Sequence, residues 1–451
     1  MHGFEYFVPT EIVFGAGSTE KLPELLKKRG LSRVLVVYGS SSAKKSGLLD
    51  RVFRLLDEAG VQYRALGGVQ PNPRAALARE GVQLALESGA ELILAVGGGS
   101  VIDTCKAIAH GAANPGTDIW EFWKRRAPLT RSMPVGVVLT IPAAGSETSD
   151  SAVLTNAEAG EKRGLNTPFN RPAFAILDPL LAATLPVHQV ACGVSDILMH
   201  TLDRYFNPVT DNALTDELAE ALLRVVLEYG PAAVRDAHDE KAMSEIMWAG
   251  SLSHNGLTGL GGKKDFATHQ LGHALSEKFD VYHGDSLTAV WSSWARSVMD
   301  ESPARFARFA RNVWHVEEAD DTAAALAGIA KQESFFRSIG MPVCLGELSC
   351  GKRAADILER RAAAADRLYN EKHVRVALDH RKIRDDLVPV QPVRQFAACQ
   401  HIRKFQLFPC ASFKQAYVPQ QNFRAASADD AGAENGKLFH DGPPYASLAL
   451  R

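Results

Sequence analysis

The 451-residue chain has little that would tie it to a membrane, to nucleic acid or to an oxidising compartment. No run of 18 apolar residues occurs, so no transmembrane helix is expected. Fifty basic and 52 acidic side chains leave a formal net charge of -2. There is thus no cationic excess to meet a phosphate backbone or an anionic bilayer. The six cysteines (Cys105, Cys192, Cys344, Cys350, Cys399 and Cys410) are scattered, with no CxxC pair. In a chain of this length they read as reduced thiols of a cytoplasmic protein. The opening residues, MHGFEYFVPTEIVFG, hold no basic stretch followed by an apolar one, so no signal peptide is expected. No internal repeat is found. What remains is an ordinary globular composition, 46% hydrophobic and 23% charged, in a chain long enough for two domains.

The first 180 or so residues alternate apolar runs with helical patterns. Arg33 to Gly39 (RVLVVYG), Glu91 to Val96 (ELILAV), Val135 to Ile141 (VGVVLTI) and Ala173 to Leu177 (AFAIL) read as strands. Ser18 to Arg29 and Arg74 to Ser88 read as helices, each followed by a glycine (Gly30, Gly89) that enters the left-handed region cheaply. Strands alternating with helices predict a parallel α/β sheet. After Pro186 the β-branched runs fade. Leu214, Leu218, Leu222, Val225 and Val226 fall on one helical face, and an all-helical region is expected. The predicted divisions are an α/β domain over 1–185, an all-α domain over 186–370, and an atypical, partly disordered extension over 371–451. That last stretch has lost helical periodicity, and from about residue 426 it has the composition of a flexible tail.

Four motifs carry chemistry. Gly97-Gly98-Gly99-Ser100 stands where a strand ends and a helix begins. Glycines there admit a phosphate to the backbone N–H groups, and the helix terminus adds positive potential. A plain strand-to-helix turn has the same look, and the motif is not GxGxxG. Gly39-Ser40-Ser41-Ser42-Ala43-Lys44-Lys45 follows the first clear strand and contains no acid. A carboxylate there would bind a ribose 2′-hydroxyl and repel a 2′-phosphate. If a dinucleotide binds, NADP(H) is therefore favoured over NAD(H); a solvated basic turn is the alternative. Pro142-Ala143-Ala144-Gly145-Ser146-Glu147-Thr148-Ser149 supplies small residues that would let a flat ring approach, as an ordinary loop also would. Finally, Asp196 and His200 stand at i and i+4 on one face of a predicted helix, with His269 and His283 downstream. One carboxylate and three imidazoles suit one Fe(II) or Zn(II) with a position left open, although scattered histidines more often sit on surfaces or in satisfied cores. His273, four residues after His269, faces the same side.

Taken together and in this order, GGGSVIDTCKAIA, PAAGSETSDSAV, the LDP at 177–179, DxxxH at 196–200 and HQLGHALSEKFDVYHG at 269–284 resemble the iron-containing alcohol dehydrogenase family, most closely its NADPH-dependent butanol dehydrogenase and aldehyde reductase branch. The resemblance covers roughly residues 3 to 365. It implies a dinucleotide-binding α/β domain followed by an all-α domain, a fold similar to dehydroquinate synthase, with the active site between them. It implies metal ligands at Asp196, His200, His269 and His283, and an additional active-site histidine at His273; a proton would reach the product oxygen through His273 or a bound water. The implied nucleotide contacts are Gly39, Ser40, Ser41, Lys44, Lys45, Gly97, Gly98, Gly99, Ser100, Asp103, Thr140, Ser149 and Lys162. A small alcohol or aldehyde is the implied substrate and a homodimer the implied assembly, with an N-terminal strand pairing across its interface.

Two departures stand out. Chains of that family end near 385–390 in this numbering, whereas this one continues to 451; the segment after about 370 reads as a displaced reading frame or an unusual extension. Phe266 stands beside His269 where the branch often carries Trp, which would reshape the substrate pocket. The competing readings are a glycerol dehydrogenase or sugar-phosphate enzyme of the same fold, with Lys263 and Lys264 as a phosphate-binding pair, and an inactive nucleotide-binding protein.

Overall fold

In the computed structural model the described residues are 2–39, 42–207, 211–263 and 266–349. The expected extension over 371–451, the end of the predicted helical domain, Ser40, Ser41 and Lys264 lie outside them. The first half builds strands β1 (Glu11–Phe14), β2 (Arg33–Gly39), β3 (Gln62–Val69), β4 (Leu92–Gly97), β5 (Val135–Leu139), β6 (Ser151–Asn156), β7 (Glu161–Asn166) and β8 (Phe174–Leu177). Between them run helices α1 (Leu22–Lys28), α2 (Ser42–Lys45), α3 (Leu48–Glu58), α4 (Ala75–Glu87), α5 (Gly99–Ala113) and α6 (Ile119–Trp123). The second half is helical: α7 (Val187–Tyr205), α8 (Ala213–Arg235), α9 (Glu240–His254), α10 (Ala267–Phe279), α11 (His283–Val298), α12 (Pro303–Trp314) and α13 (Asp321–Ser338).

Six strands form a parallel sheet in the order β1-β8-β5-β4-β2-β3. Period-two alternation explains why both faces are covered. Val34 and Val36 of β2, with Leu92, Leu94 and Val96 of β4, pack against Leu22, Leu26, Leu49 and Val52 of α1 and α3. Leu35 and Val37, with Ile93 and Ala95, face the opposite way, toward Ala78, Val82, Ile102 and Ile108 of α4 and α5. Each such valine, leucine or isoleucine contributes about 1.5–3 kcal/mol by leaving water. The second of these cores does not stop at the sheet. It runs on through Ile197, Met199, Leu223, Trp291 and Phe309, so that sheet and helices share one continuous interior.

The winding reverses between β2 and β4. From β2 the chain steps outward to β3, then crosses back to β4 on the other side of β2 and continues to β5 and β8. The carboxyl ends of the two strands flanking this reversal are where open α/β sheets bind ligands. They carry Gly39 and Gly97.

The strand runs and the glycine stops fall where the sequence puts them, Gly30 and Gly89 adopting φ of 63° and 59°. Three details differ. Ser18–Lys21 is a 3-10 turn, and the α-helix begins only at Leu22 with Pro23 in its first turn. The antiparallel hairpin β6–β7 and strand β3 were not anticipated, because QYRALGGV and EKRGLN carry too few apolar residues to read as strands. On α8, Leu214 and Leu218 are exposed, at 69% and 38%. The buried stripe is Ala219, Leu222, Leu223, Val226 and Ala233, turned toward the neighbouring helices. At 3.6 residues per turn an i, i+4 series drifts off that stripe.

One contact sets α7 against the loop after β5. A Cβ at Gly193 would stand 2.2 Å from the Pro142 carbonyl oxygen. Gly193→Ala is expected to lower stability by about 1–3 kcal/mol, the usual cost of overpacking. An unchanged denaturation midpoint would show that the loop yields freely.

Candidate metal centre and nucleotide cleft

Helix α7 ends where Arg305 caps it. The guanidinium donates Nε and Nη2 to the Tyr205 carbonyl at 2.9 and 2.6 Å and is itself paired with the buried Asp216 carboxylate. So anchored, α7 presents Asp196 and His200 one turn apart. His269 comes from the first turn of α10, and His283 is the first residue of α11. The three imidazole Nε2 atoms surround one oxygen, Asp196 Oδ1, at 3.5 Å (His200), 3.7 Å (His269) and 3.7 Å (His283). Asp196, His200 and His269 are buried and form the tightest group; His283 is half-buried.

These separations are too long for hydrogen bonds. Donors sharing one tetrahedral ion stand about 3.4 Å apart, given metal–ligand distances of about 2.0–2.1 Å. Asp196 Oδ1 and His269 Nε2 are buried with no hydrogen-bond partner among the described residues. Leaving such atoms unpaired costs about 1–3 kcal/mol each. The residues therefore fit a divalent cation on two counts, the spacing of the donors and the orphaned atoms that face one another.

A residue the sequence reading missed fixes the histidine. Asp203 Oδ2 lies 2.6 Å from His269 Nδ1 and also accepts the His269 backbone N–H at 3.3 Å, while its other oxygen accepts the Thr268 hydroxyl. With Nδ1 donating to Asp203, Nε2 is aimed at Asp196. The signal was present: Asp196, His200 and Asp203 stand at i, i+4 and i+7 on one face of α7. Burial pushes the His269 pKa down, but the carboxylates of Asp196 and Asp203 outweigh it and raise it to about 9. Burial lowers His283 to about 4 and pushes His200 down as well.

His273 stacks on His283 with ring centroids 5.2 Å apart, and burial lowers its pKa. Also unforeseen is His254, whose ring lies 3.8 Å from that of His200 and whose Nδ1 meets the Ala144 carbonyl. Phe266 sits beside His200 and His269, with the Arg204 guanidinium 4.7 Å over its ring. Lys263 is exposed.

On the sheet side, Gly98 precedes α5 with no side-chain cap, which leaves the terminus of a 15-residue helix open to an anion. A Cβ at Gly98 would stand 3.1 Å from the Ile141 side chain, so the turn lies directly against the segment after β5. Thr140 donates its backbone N–H to Gly97 at 3.2 Å. Asp103 is turned inward: one oxygen accepts Ser146 Oγ at 2.6 Å, the other the Val153 N–H at 2.8 Å. Its neighbour Lys106, fully buried and lowered to about 8 by burial, donates to the Ser146 and Ser151 carbonyls. The pair locks the 146–153 segment, Ser149 included, onto α5. Lys162, on β7, donates to Asn72 Oδ1 at 2.8 Å, and Asn72 donates to Asp280 beyond α10. Gly39 ends β2, Lys45 is exposed, and Lys44 Nζ lies 5.5 Å over the Tyr38 ring.

Asp203→Asn is expected to weaken divalent-metal binding by about 10–100-fold, the usual effect of removing such an orienting carboxylate. Chelator competition measures it, and wild-type affinity in the variant would show that His269 is aimed by something else.

Comparison with known proteins bears on the same residues. Positions 9–179 match the family described as iron-containing alcohol dehydrogenase, and 189–380 match the C-terminal part of the Fe-containing alcohol dehydrogenase family. A probable NADH-dependent butanol dehydrogenase 1 of Bacillus subtilis is 38% identical, over 81% of this chain and 94% of its own. The NADPH-dependent aldehyde reductase YqhD of Escherichia coli is 36% identical, over 77% and 89%. The crystal structure of an NADH-dependent butanol dehydrogenase A from Thermotoga maritima superposes with a TM-score of 0.74 at 33% identity, covering 76% of this chain and 86% of that one. A sheet with a glycine turn at its winding reversal, a carboxylate ringed by three imidazoles, and likeness over nearly the whole length of such relatives lead to one statement: the chain belongs to the iron-containing alcohol dehydrogenase family.

Proposed function

We propose that the chain is a metal- and nicotinamide-dependent alcohol dehydrogenase that works as an aldehyde reductase on small substrates. The observation that carries this is the ring of three imidazole nitrogens around Asp196 Oδ1, 3.5–3.7 Å away. Asp196, His200, His269 and His283 would hold one Fe(II) or Zn(II). Bound there, the cation supplies Lewis acidity toward a carbonyl oxygen, and the nicotinamide supplies hydride.

The chain's own residues do the rest. Asp196 contributes the one negative charge of the set, and Asp203 keeps His269 in the tautomer that leaves Nε2 free. The glycine turn 97–99 and the bare terminus of α5 take the pyrophosphate. Thr140 and the small residues after β5 leave room for a flat ring, and Asp103 with Lys106 keeps that segment in place. Burial disfavours the charged form of the His273 imidazole, which suits it to relay a proton to the product oxygen. Lys162, held by Asn72, lies close enough to both Asp103 and His273 to bias their charge, which suits a position on the nicotinamide side.

NADP(H) is proposed over NAD(H), because Gly39 to Gly47 carries two lysines and no acid. The relatives differ here, the B. subtilis protein being named for NADH and the E. coli protein for NADPH. A homodimer is proposed on the edge position of β1 and the exposed Phe4, Tyr6 and Phe7 that precede it; a monomer mass by light scattering would remove that reading. Reduced thiols and balanced charge support a cytoplasmic location, and among the described residues no helix is long and apolar enough to cross a membrane.

His269→Ala is expected to lose metal and to lower NADPH-dependent butanal reduction by about a thousandfold, equivalent to about 4 kcal/mol, while NADPH still binds. Full activity in the metal-stripped variant would overturn the assignment. Gly39→Asp is sterically open, since a Cβ there would meet only the Val69 carbonyl oxygen at 3.8 Å. It should shift the kcat/KM ratio toward NADH by at least about tenfold, or ~1.4 kcal/mol. An unchanged ratio would count against recognition of a 2′-phosphate at this turn.

A further inference from the structure

A second cluster of metal-ligating side chains lies beside the first on the same two helices. His188, Cys192 and Asp285 each bring one donor atom within 4.8 Å of the others. His188 and Cys192 stand four residues apart on α7 and continue, at the same spacing, into Asp196 and His200. Asp285 lies in the first turn of α11, two residues beyond His283. Between these two, Gly284 lets the helices meet at backbone level: a Cβ there would stand 2.7 Å from Cys192 Cα. The donors are thus set by the helix frame rather than by loops.

The distances come close to those of a coordination site. His188 Nε2 is 3.2 Å from Asp285 Oδ2 and 3.6 Å from Cys192 Sγ, and Cys192 Sγ is 3.9 Å from the other carboxylate oxygen, Asp285 Oδ1, so a small rotation of the carboxylate brings one oxygen to both. Donors on one tetrahedral zinc would stand about 3.3 Å (N to O), 3.6 Å (S to N) and 3.5 Å (S to O) apart, from the usual bond lengths. A Cys-His-Asp nucleophile relay is the other arrangement these residue types make. It needs the imidazole to use one nitrogen toward sulfur and the other toward the carboxylate. Here the same nitrogen, Nε2, faces both. The His188 side chain is 44% exposed and that of Asp285 15%, so an ion can enter from solvent.

We propose that His188, Cys192 and Asp285 form a second divalent-cation site, suited to Zn(II), that clamps the N-terminal ends of α7 and α11 together and keeps a fourth position open to water. On loading, a sulfur–metal bond forms as the Cys192 thiol proton leaves to solvent; nothing is oxidised or reduced. The first centre offers only nitrogen and oxygen, whereas this one offers sulfur, and that difference supplies the test.

Metal-depleted full-length protein is titrated with Co(II) and followed in the near-ultraviolet, where thiolate-to-cobalt charge transfer absorbs. The band should saturate by two equivalents per chain, one for each centre, and vanish in Cys192→Ser. It should need at least about tenfold more cobalt in His188→Ala, which removes an exposed ring and leaves the Cys192 packing in place. It should persist in His269→Ala, which empties the first centre only. Absence of the band at excess cobalt in folded protein would overturn the proposal. So would a band unchanged in Cys192→Ser, or unchanged affinity in His188→Ala, the variant that decides the matter if Cys192→Ser does not fold. Wild-type protein that shows this band but binds no further equivalent of cobalt would count against the reductase reading alone.

Discussion

Everything at the centre of this protein turns on one buried carboxylate oxygen that no described residue satisfies. Asp196 Oδ1 is ringed by three imidazole nitrogens, each too far away to bond it. A folded chain does not keep such an arrangement for its own stability, because burying unpaired polar atoms costs free energy. The arrangement is worth its cost only if a charge arrives from outside.

The rest of the architecture keeps that oxygen where it is. Arg305 stops α7 at Tyr205, Asp203 turns His269, and Gly193 admits the Pro142 carbonyl against α7. Lys106 is an ammonium spent wholly on backbone carbonyls and one hydroxyl, pinning the segment after β5. Each of these groups fixes an element that carries part of the candidate site. The continuous core between sheet and helices gives the same result on a larger scale, since neither layer can shift without opening apolar contacts.

Much of this was legible in the sequence, and the boundary of legibility is physical. Strands buried on both faces announce themselves as β-branched runs, as RVLVVYG and LILAVG do. The hairpin β6–β7 and strand β3 do not, because their polar residues are acceptable only once a neighbour pairs with them. The i, i+4 pair Asp196 and His200 could be read from spacing, whereas the convergence of His269 and His283 on it could not; family resemblance supplied that expectation. Asp203 and Lys106 were missed because a carboxylate or ammonium that serves another side chain looks, in one dimension, like any surface charge. Leu214 and Leu218 misled in the opposite direction, apolar in sequence and exposed on α8.

The reversal of winding between β2 and β4 has a consequence for how such proteins diversify. On the proposed reading, the turn after β4, with its glycines, would meet the part of a dinucleotide common to all of them, and the turn after β2 the end where the two common forms differ. The proposed metal ligands come from α7, α10 and α11, apart from both turns. Choice of electron carrier would then rest with a few residues after Gly39, separable from the reaction itself. A lineage can exchange one reductant pool for another without rebuilding its catalytic apparatus, and relatives named for different carriers can share one chemistry.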